Sequence, residues 1–170
     1  MKYPLTLRVL HWLIALLMIA LLIIGFTMAE LIKPPLQYNL FDIHKSLGVT
    51  VWGLAFLRIV IRLVSDVPPM PPQVRRYERT LAKIVYACLY VLMIGFPLSG
   101  YIMSSAGGHP VAWFGVNIPL IIEKNKHLSH LAWQIHSLFG YALLGLITLH
   151  FLGFLKHLIF DRENLLKRMW

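Results

Sequence analysis

The sequence predicts an all-α integral membrane protein: an up-down four-helix transmembrane bundle with both termini on the cytoplasmic side. Three observations predict it. The 170 residues are 58% hydrophobic, with a mean hydropathy of +0.70, which is more apolar than a soluble domain of this size. Four apolar runs, at about 8–30, 41–64, 82–104 and 131–157, each reach the roughly 20 residues that cross a bilayer core. Twelve of the sixteen basic residues gather at the chain ends and around the connection between runs two and three, leaving Lys33, Lys45, Lys124 and Lys126 for the other side. That is the positive-inside pattern. It accounts for the net charge of +9 without nucleic acid, which is not an expected partner.

The first run follows a very short basic segment with Lys2 and Arg8 and has no small-residue cleavage site, so it reads as a retained helix. The connection 32–40 is short, so helices one and two are expected as antiparallel neighbours, with Pro34 and Pro35 marking the turn. The next connection, S-D-V-P-P-M-P-P-Q-V-R-R-Y-E-R, is proline-rich and then basic. It predicts a stiff, extended linker with Arg75, Arg76 and Arg79 near anionic headgroups. Pro97 predicts a kink in helix three. The single cysteine, Cys88, permits no intrachain disulfide and is expected as a small buried apolar residue. The longest connection, 105–130, carries Gly107, Gly108, Trp113, Phe114 and an Ile pair, and is expected to lie at the outer membrane interface. No repeat is present, and residues 1–170 read as one domain.

Four of the eight histidines, His11, His44, His136 and His150, fall inside the spans. An ionisable residue in a span is costly unless partnered, so four together point to a function. His136 and His150 are fourteen residues apart on helix four, which is ~21 Å of rise and ~3.9 turns, so both rings leave nearly the same face. With helix one leaving the core near Glu30 and helix two entering near Leu40, His11 and His44 differ in depth by fifteen residues, or ~22 Å. His44 is therefore expected level with His136 on the outer side, and His11 with His150 on the inner side. Two pairs bridging different helices are what two bis-histidine haems need. Gly48 and Gly140 follow the outer histidines four residues later on the same helix face. There they clear space for a flat macrocycle, or serve ordinary small-residue helix packing.

Other metals fit less well. The H-E-x-x-H zinc pattern is absent, and a di-iron centre needs inward carboxylates. The acids near the spans read as Glu30 and Asp42 alone, both at the outer boundary. His157 competes with His150, but its distance from His136 would be ~31 Å, beyond the depth match; protons or a haem propionate are its alternative partners. His109, His127 and His130 fall in the outer connection. There His127 and His130 form either a weak metal or anion site or a solvated basic face. Arg58 and Arg62 either pair with inner propionates or reach lipid phosphates.

The chain resembles the bacterial di-haem cytochrome b561 family over nearly its whole length. The matching elements are L-R-V-L-H-W, H-K-S-L-G, the proline-rich linker, P-L-S-G, W-F-G-V-N-I-P, and H-S-L-F-G-Y followed by a second histidine in helix four. The resemblance implies two b-type haems, with iron ligated by His11, His44, His136 and His150, in a multi-pass protein of the bacterial inner membrane. It also implies electron exchange with ubiquinone, and it brings in superoxide:quinone oxidoreduction as the activity. Membrane lipid, quinone, superoxide or a periplasmic redox protein, and a second copy of the chain are the partners considered. The alternatives are an electron-transfer subunit docked to a separate dehydrogenase or periplasmic redox protein, and a non-redox transporter or structural protein with buried histidines. Arg8, Arg62 and His157 mark the inner region where quinone reduction would take up protons.

Overall fold

The computed structural model describes residues 2–71 and 74–170. Four long helices account for most of it: α1 (Leu5–Glu30), α2 (Leu36–Val64), α3 (Arg76–Ala106) and α4 (Lys126–Ile159). Each is long and apolar enough to cross a membrane. Their surfaces are inverted relative to a soluble bundle. Leu16, Ile23, Leu63, Val64 and Leu138 are exposed, while Leu7, Val51 and Leu143 are buried among the helices. Lipid tails solvate the outer residues as well as protein would, so burial here follows shape more than polarity. The backbone satisfies itself within each helix, as a hydrocarbon solvent requires.

Consecutive helices are neighbours, α1 with α2, α2 with α3 and α3 with α4. Both termini meet at one end, where Tyr3 N–H donates to the Arg168 carbonyl at 3.0 Å. The mid-level core is formed by Ile14, Met18, Leu21, Val51, Leu92 and Leu143.

The helices are longer than the apolar runs, because their polar ends extend past them. The arginine-rich end of the second connection is helical rather than extended. Arg75 caps α3, its N–H donating to Glu78 Oε2 at 3.1 Å, and Arg76 and Arg79 lie in the helix. Pro72 and Gln73, within the expected extended linker, lie outside the described residues. Helix α3 continues through Pro97. Cys88, expected to be buried, is exposed on α3, as a small apolar side chain in lipid can be.

The third connection holds a β-hairpin, β1 (Val111–Trp113) paired antiparallel with β2 (Val116–Ile118). Its two loop residues, Phe114 and Gly115, have φ of 47° and 91°, the primed geometry that matches strand twist and that Gly115 supplies without steric cost. Ser46 of α2 pins the hairpin at two points. Its Oγ donates to the Ala112 carbonyl at 3.1 Å and accepts the Phe114 N–H at 3.2 Å. Trp113 Nε1 donates to Thr50 Oγ1 at 3.0 Å, and Lys45 Nζ to the Pro110 carbonyl at 2.9 Å. The segment expected at the membrane interface is thus laid along α2. Ser46→Ala orphans two backbone groups beside a buried position, a loss of about 1–3 kcal/mol. Hydrogen exchange should accelerate at 111–118 and stay unchanged in the helices; uniform exchange would show that the hairpin does not depend on Ser46.

Candidate functional site

The four in-span histidines come together as two facing pairs. His44 of α2 meets His136 of α4 with ring centres 6.2 Å apart and planes at 78°. His11 of α1 meets His150 of α4 with ring centres 6.2 Å apart and planes at 69°. Helix α4 supplies one ring to each pair because its two histidines are fourteen residues apart on one face. Leu143, midway between them and 1% exposed, belongs to the apolar layer separating the two pairs.

At the hairpin-side pair, α3 shapes the ring of His136. Its Nδ1 lies 3.2 Å from the Phe96 carbonyl and 3.0 Å from Ser99 Oγ, and the Ser99 hydroxyl donates to the same carbonyl at 2.6 Å. A carbonyl can only accept, so Nδ1 carries the proton and Nε2 keeps a free lone pair. Phe96 packs on the ring at 4.4 Å. Gly100 makes the close approach possible: a Cβ there would lie 3.0 Å from His136 Cε1. Gly25 does the same for His44 from α1, where a Cβ would lie 3.3 Å from His44 Cε1. His44 Nδ1 is buried with no hydrogen-bond partner among the described residues.

The glycines expected to clear space behave differently from each other. A Cβ at Gly48 meets nothing within 4 Å, whereas one at Gly140 meets Phe96 Cζ at 3.6 Å, an ordinary packing contact. The closest contacts with the paired rings are at Gly25 and Gly100 instead. The signal for Gly100 was its place after Ser99 in P-L-S-G; Gly25 carries no such mark.

At the termini-side pair, His11 has Trp12 edge-on at 5.4 Å and His150 has Tyr86 at 5.9 Å. Arg58 turns inward and donates to the Leu7 carbonyl. Arg62 lies 5.7 Å from the Tyr3 ring centre. His157 is not part of the pair. Its Nδ1 is 2.6 Å from Asp161 Oδ2, and Lys156 Nζ is 2.6 Å from the same carboxylate and 2.5 Å from Glu78 Oε1. Hydrogen bonding from Lys156 first, then from His157, holds the Asp161 carboxyl below the usual carboxylate range. Glu78 and Asp161 correct the expectation that acids sit only at the far boundary: they join α3 to the end of α4 at the termini side. The sequence reading missed them because they fall outside the apolar runs. Glu78, His157 and Asp161 also have the donor set of a small cation site, but Lys156 already serves both carboxylates. In the hairpin-side connection, His130 stacks on Trp133 at 5.6 Å, and His127 and His130 form no metal cluster among the described residues.

Two imidazole pairs stacked along the axis of a four-helix membrane bundle define a membrane electron-transfer protein. The comparisons with known proteins agree. The chain belongs to the prokaryotic cytochrome b561 family, whose model matches residues 2–170. It is 27% identical over 161 residues to cytochrome b561 homolog 2 of Escherichia coli K12, covering 94% of this chain and 86% of that one. It is 25% identical over 128 residues to cytochrome b561 homolog 1 of the same strain, covering 75% and 73%. It is 30% identical over 162 residues to the probable superoxide oxidase CybB of Yersinia pestis, covering 94% and 90%. The family implies a b-type haem.

The residues present fit that group. A metal–imidazole bond of about 2.0 Å on each side, with about 1.1 Å from ring nitrogen to ring centre, sums to about 6.2 Å between ring centres. Both pairs have that separation. The Nδ1–H tautomer at His136 leaves its Nε2 free to coordinate.

Two substitutions test the hairpin-side pair. Gly100→Ala drives a methyl into His136 and should lower the haem bound per chain, while Gly153→Ala, where a Cβ meets nothing within 4 Å, should leave it intact. Equal haem in both variants would remove the steric role. Ser99→Ala weakens the hydrogen bonding that raises the basicity of His136. A redox component of the haem-loaded protein should then titrate at a higher potential; an unmoved potential would show that the Phe96 carbonyl suffices.

Proposed function

We propose that the protein is a di-haem b-type cytochrome of the bacterial inner membrane that oxidises superoxide on the periplasmic side and reduces ubiquinone. The carrying observation is the pair of pairs: His44 with His136, and His11 with His150, each with ring centres 6.2 Å apart. A haem held between such rings would supply one-electron transfer. The basic connections at 65–83 and the chain ends support a cytoplasmic termini side, which makes the hairpin side periplasmic.

Each chain group then has a task. Ser99 and the Phe96 carbonyl hold the proton on His136 Nδ1, fixing the ring that faces His44. The layer around Leu143 keeps water from between the two centres. Gly48, where nothing approaches a Cβ, leaves room beside His44. Lys45, Lys124 and Lys126 put positive charge on the hairpin side, where an anionic donor would be attracted over distance. On the termini side, the His157–Asp161–Lys156–Glu78 cluster and Arg62 mark the region through which protons reach the quinone. The reaction balances as two superoxide anions giving two dioxygen molecules and two electrons, and ubiquinone taking those electrons with two protons to become ubiquinol. Electron delivery to ubiquinone from a docked dehydrogenase or periplasmic protein is the competing outcome.

The test uses the detergent-purified chain. A reduced-minus-oxidised spectrum should show b-type bands at two haems per chain, with His136→Ala and His150→Ala each reduced to one. Superoxide should drive reduction of a soluble ubiquinone analogue. The rate should fall as salt rises, because the screening length contracts from about 30 Å at 0.01 M to about 10 Å at 0.1 M. One haem in the unaltered protein would overturn the two-centre reading. Two haems without superoxide-dependent quinone reduction would favour the docked electron carrier.

A further inference from the structure

The last seven residues return to the start of the chain. After α4, a short 3₁₀ turn α5 (Leu165–Arg168) carries the backbone against the N-terminal segment. Tyr3 N–H donates to the Arg168 carbonyl at 3.0 Å, and Trp12 Nε1 donates to the Met169 carbonyl at 2.9 Å. The Trp170 ring then stands edge-on to Trp12, centres 6.1 Å apart and planes at 81°. Arg168 locks the tail from its other side. Its guanidinium donates to the carbonyls of Pro68 and Pro69 at 3.1 and 2.6 Å and lies 5.6 Å from the Tyr3 ring centre.

Trp12 is the residue next to His11, and its ring meets the His11 ring at 5.4 Å and 68°. His11 in turn faces His150 at 6.2 Å. An unbroken line of contacts therefore runs from the C-terminal residue through Trp12 to a ring of the termini-side pair. Indole has one hydrogen-bond donor, and Trp12 gives it to the tail. That donor and the Trp170 edge hold Trp12 from the side of the tail, although the indole itself is partly exposed. His11 has no side-chain hydrogen bond among the described residues that would set its own plane. Its counterpart at the other end, His136, is set by Ser99 and Phe96.

We propose that the C-terminal tail is a clasp that sets the plane of His11 through Trp12, making Trp12 and the Met169 main chain positioning elements of the termini-side centre. The two ends of the molecule thus orient their rings by different means: a hydrogen bond to Nδ1 on the hairpin side, and packing against a tethered indole on the termini side. This inference rests on the two-haem reading above.

The experiment compares three forms of the haem-loaded protein with the unaltered one. Trp12→Phe keeps an aromatic edge on His11 and removes the donor to Met169. A chain ended after Lys167 removes the acceptor and Trp170 while leaving Trp12. Ser99→Ala marks the hairpin-side component. Redox titration and low-temperature EPR are read for each form, because the anisotropy of a low-spin bis-imidazole signal follows the angle between the ring planes. Hydrogen exchange of the 165–170 backbone is timed in the forms that keep it.

Trp12→Phe should speed exchange in the tail about three- to tenfold, the factor for one hydrogen bond. Trp12→Phe and the shortened chain should both displace the component that Ser99→Ala leaves in place, and should change the anisotropy of that signal alone. Faster tail exchange with both components unmoved would overturn the proposal and reduce the tail to an anchor. Equal displacement of both components would also overturn it, as general loosening. Absence of haem from the unaltered protein would instead defeat the two-haem reading itself, and this inference with it.

Discussion

Everything in this molecule depends on placing imidazole rings, polar and able to titrate, inside a solvent that does not solvate them. A lone neutral histidine in hydrocarbon lacks partners for two ring nitrogens, so the fold must supply those partners or present the nitrogens to a shared one. Helix α4 does so twice, opposite α2 at one level and α1 at the other. The up-down order follows from this. With α1 and α2 antiparallel, a histidine six residues into α1 and another eight residues into α2 fall at opposite ends of the membrane, where one continuous helix can meet both.

The close contacts around those rings are made by residues with little chemistry of their own. Gly25 and Gly100 let helix backbones lie against imidazole edges. Ser99 relays the Phe96 carbonyl to His136. The apolar layer through Met18, Val51, Leu92 and Leu143 separates the two levels. The paired imidazoles are oriented by such neighbours as much as by their own position on the helix. The ends of the bundle are closed by unlike devices, a docked hairpin on α2 and an ionic cluster with a folded-back tail at the termini. Neither end relies on the hydrophobic effect alone, because a lipid-facing bundle gains little from burying apolar surface against apolar surface.

Much of this was legible in the sequence. Four spans, antiparallel order and the four in-span histidines follow from composition, run length and charge placement. The matching depth of the histidines follows from helix rise and period, which are local properties that do not change when the helices pack. For the same reason α4 was readable as a helix with two rings on one face. The resemblance to the cytochrome b561 family agreed with the residue-level reading along the chain.

Only the tertiary structure decided what touches the rings. His136 and Ser99 are 37 residues apart, and Trp12 and Met169 are 157 apart; no periodicity relates such positions. Gly48 and Gly140 were readable from spacing, but the glycines that meet the paired imidazoles are Gly25 and Gly100, on helices that no pattern in α2 or α4 points to. Glu78 and Asp161 fell outside the apolar runs, so hydropathy could not connect them to Lys156 and His157. Arg58 was open from sequence between inner propionates and lipid phosphates, and its inward turn to Leu7 depends on where α1 lies. Rise, period and polarity are set by the chain locally. The distance between two helices at a given level is set by every side chain between them, and that is known only once the bundle is packed.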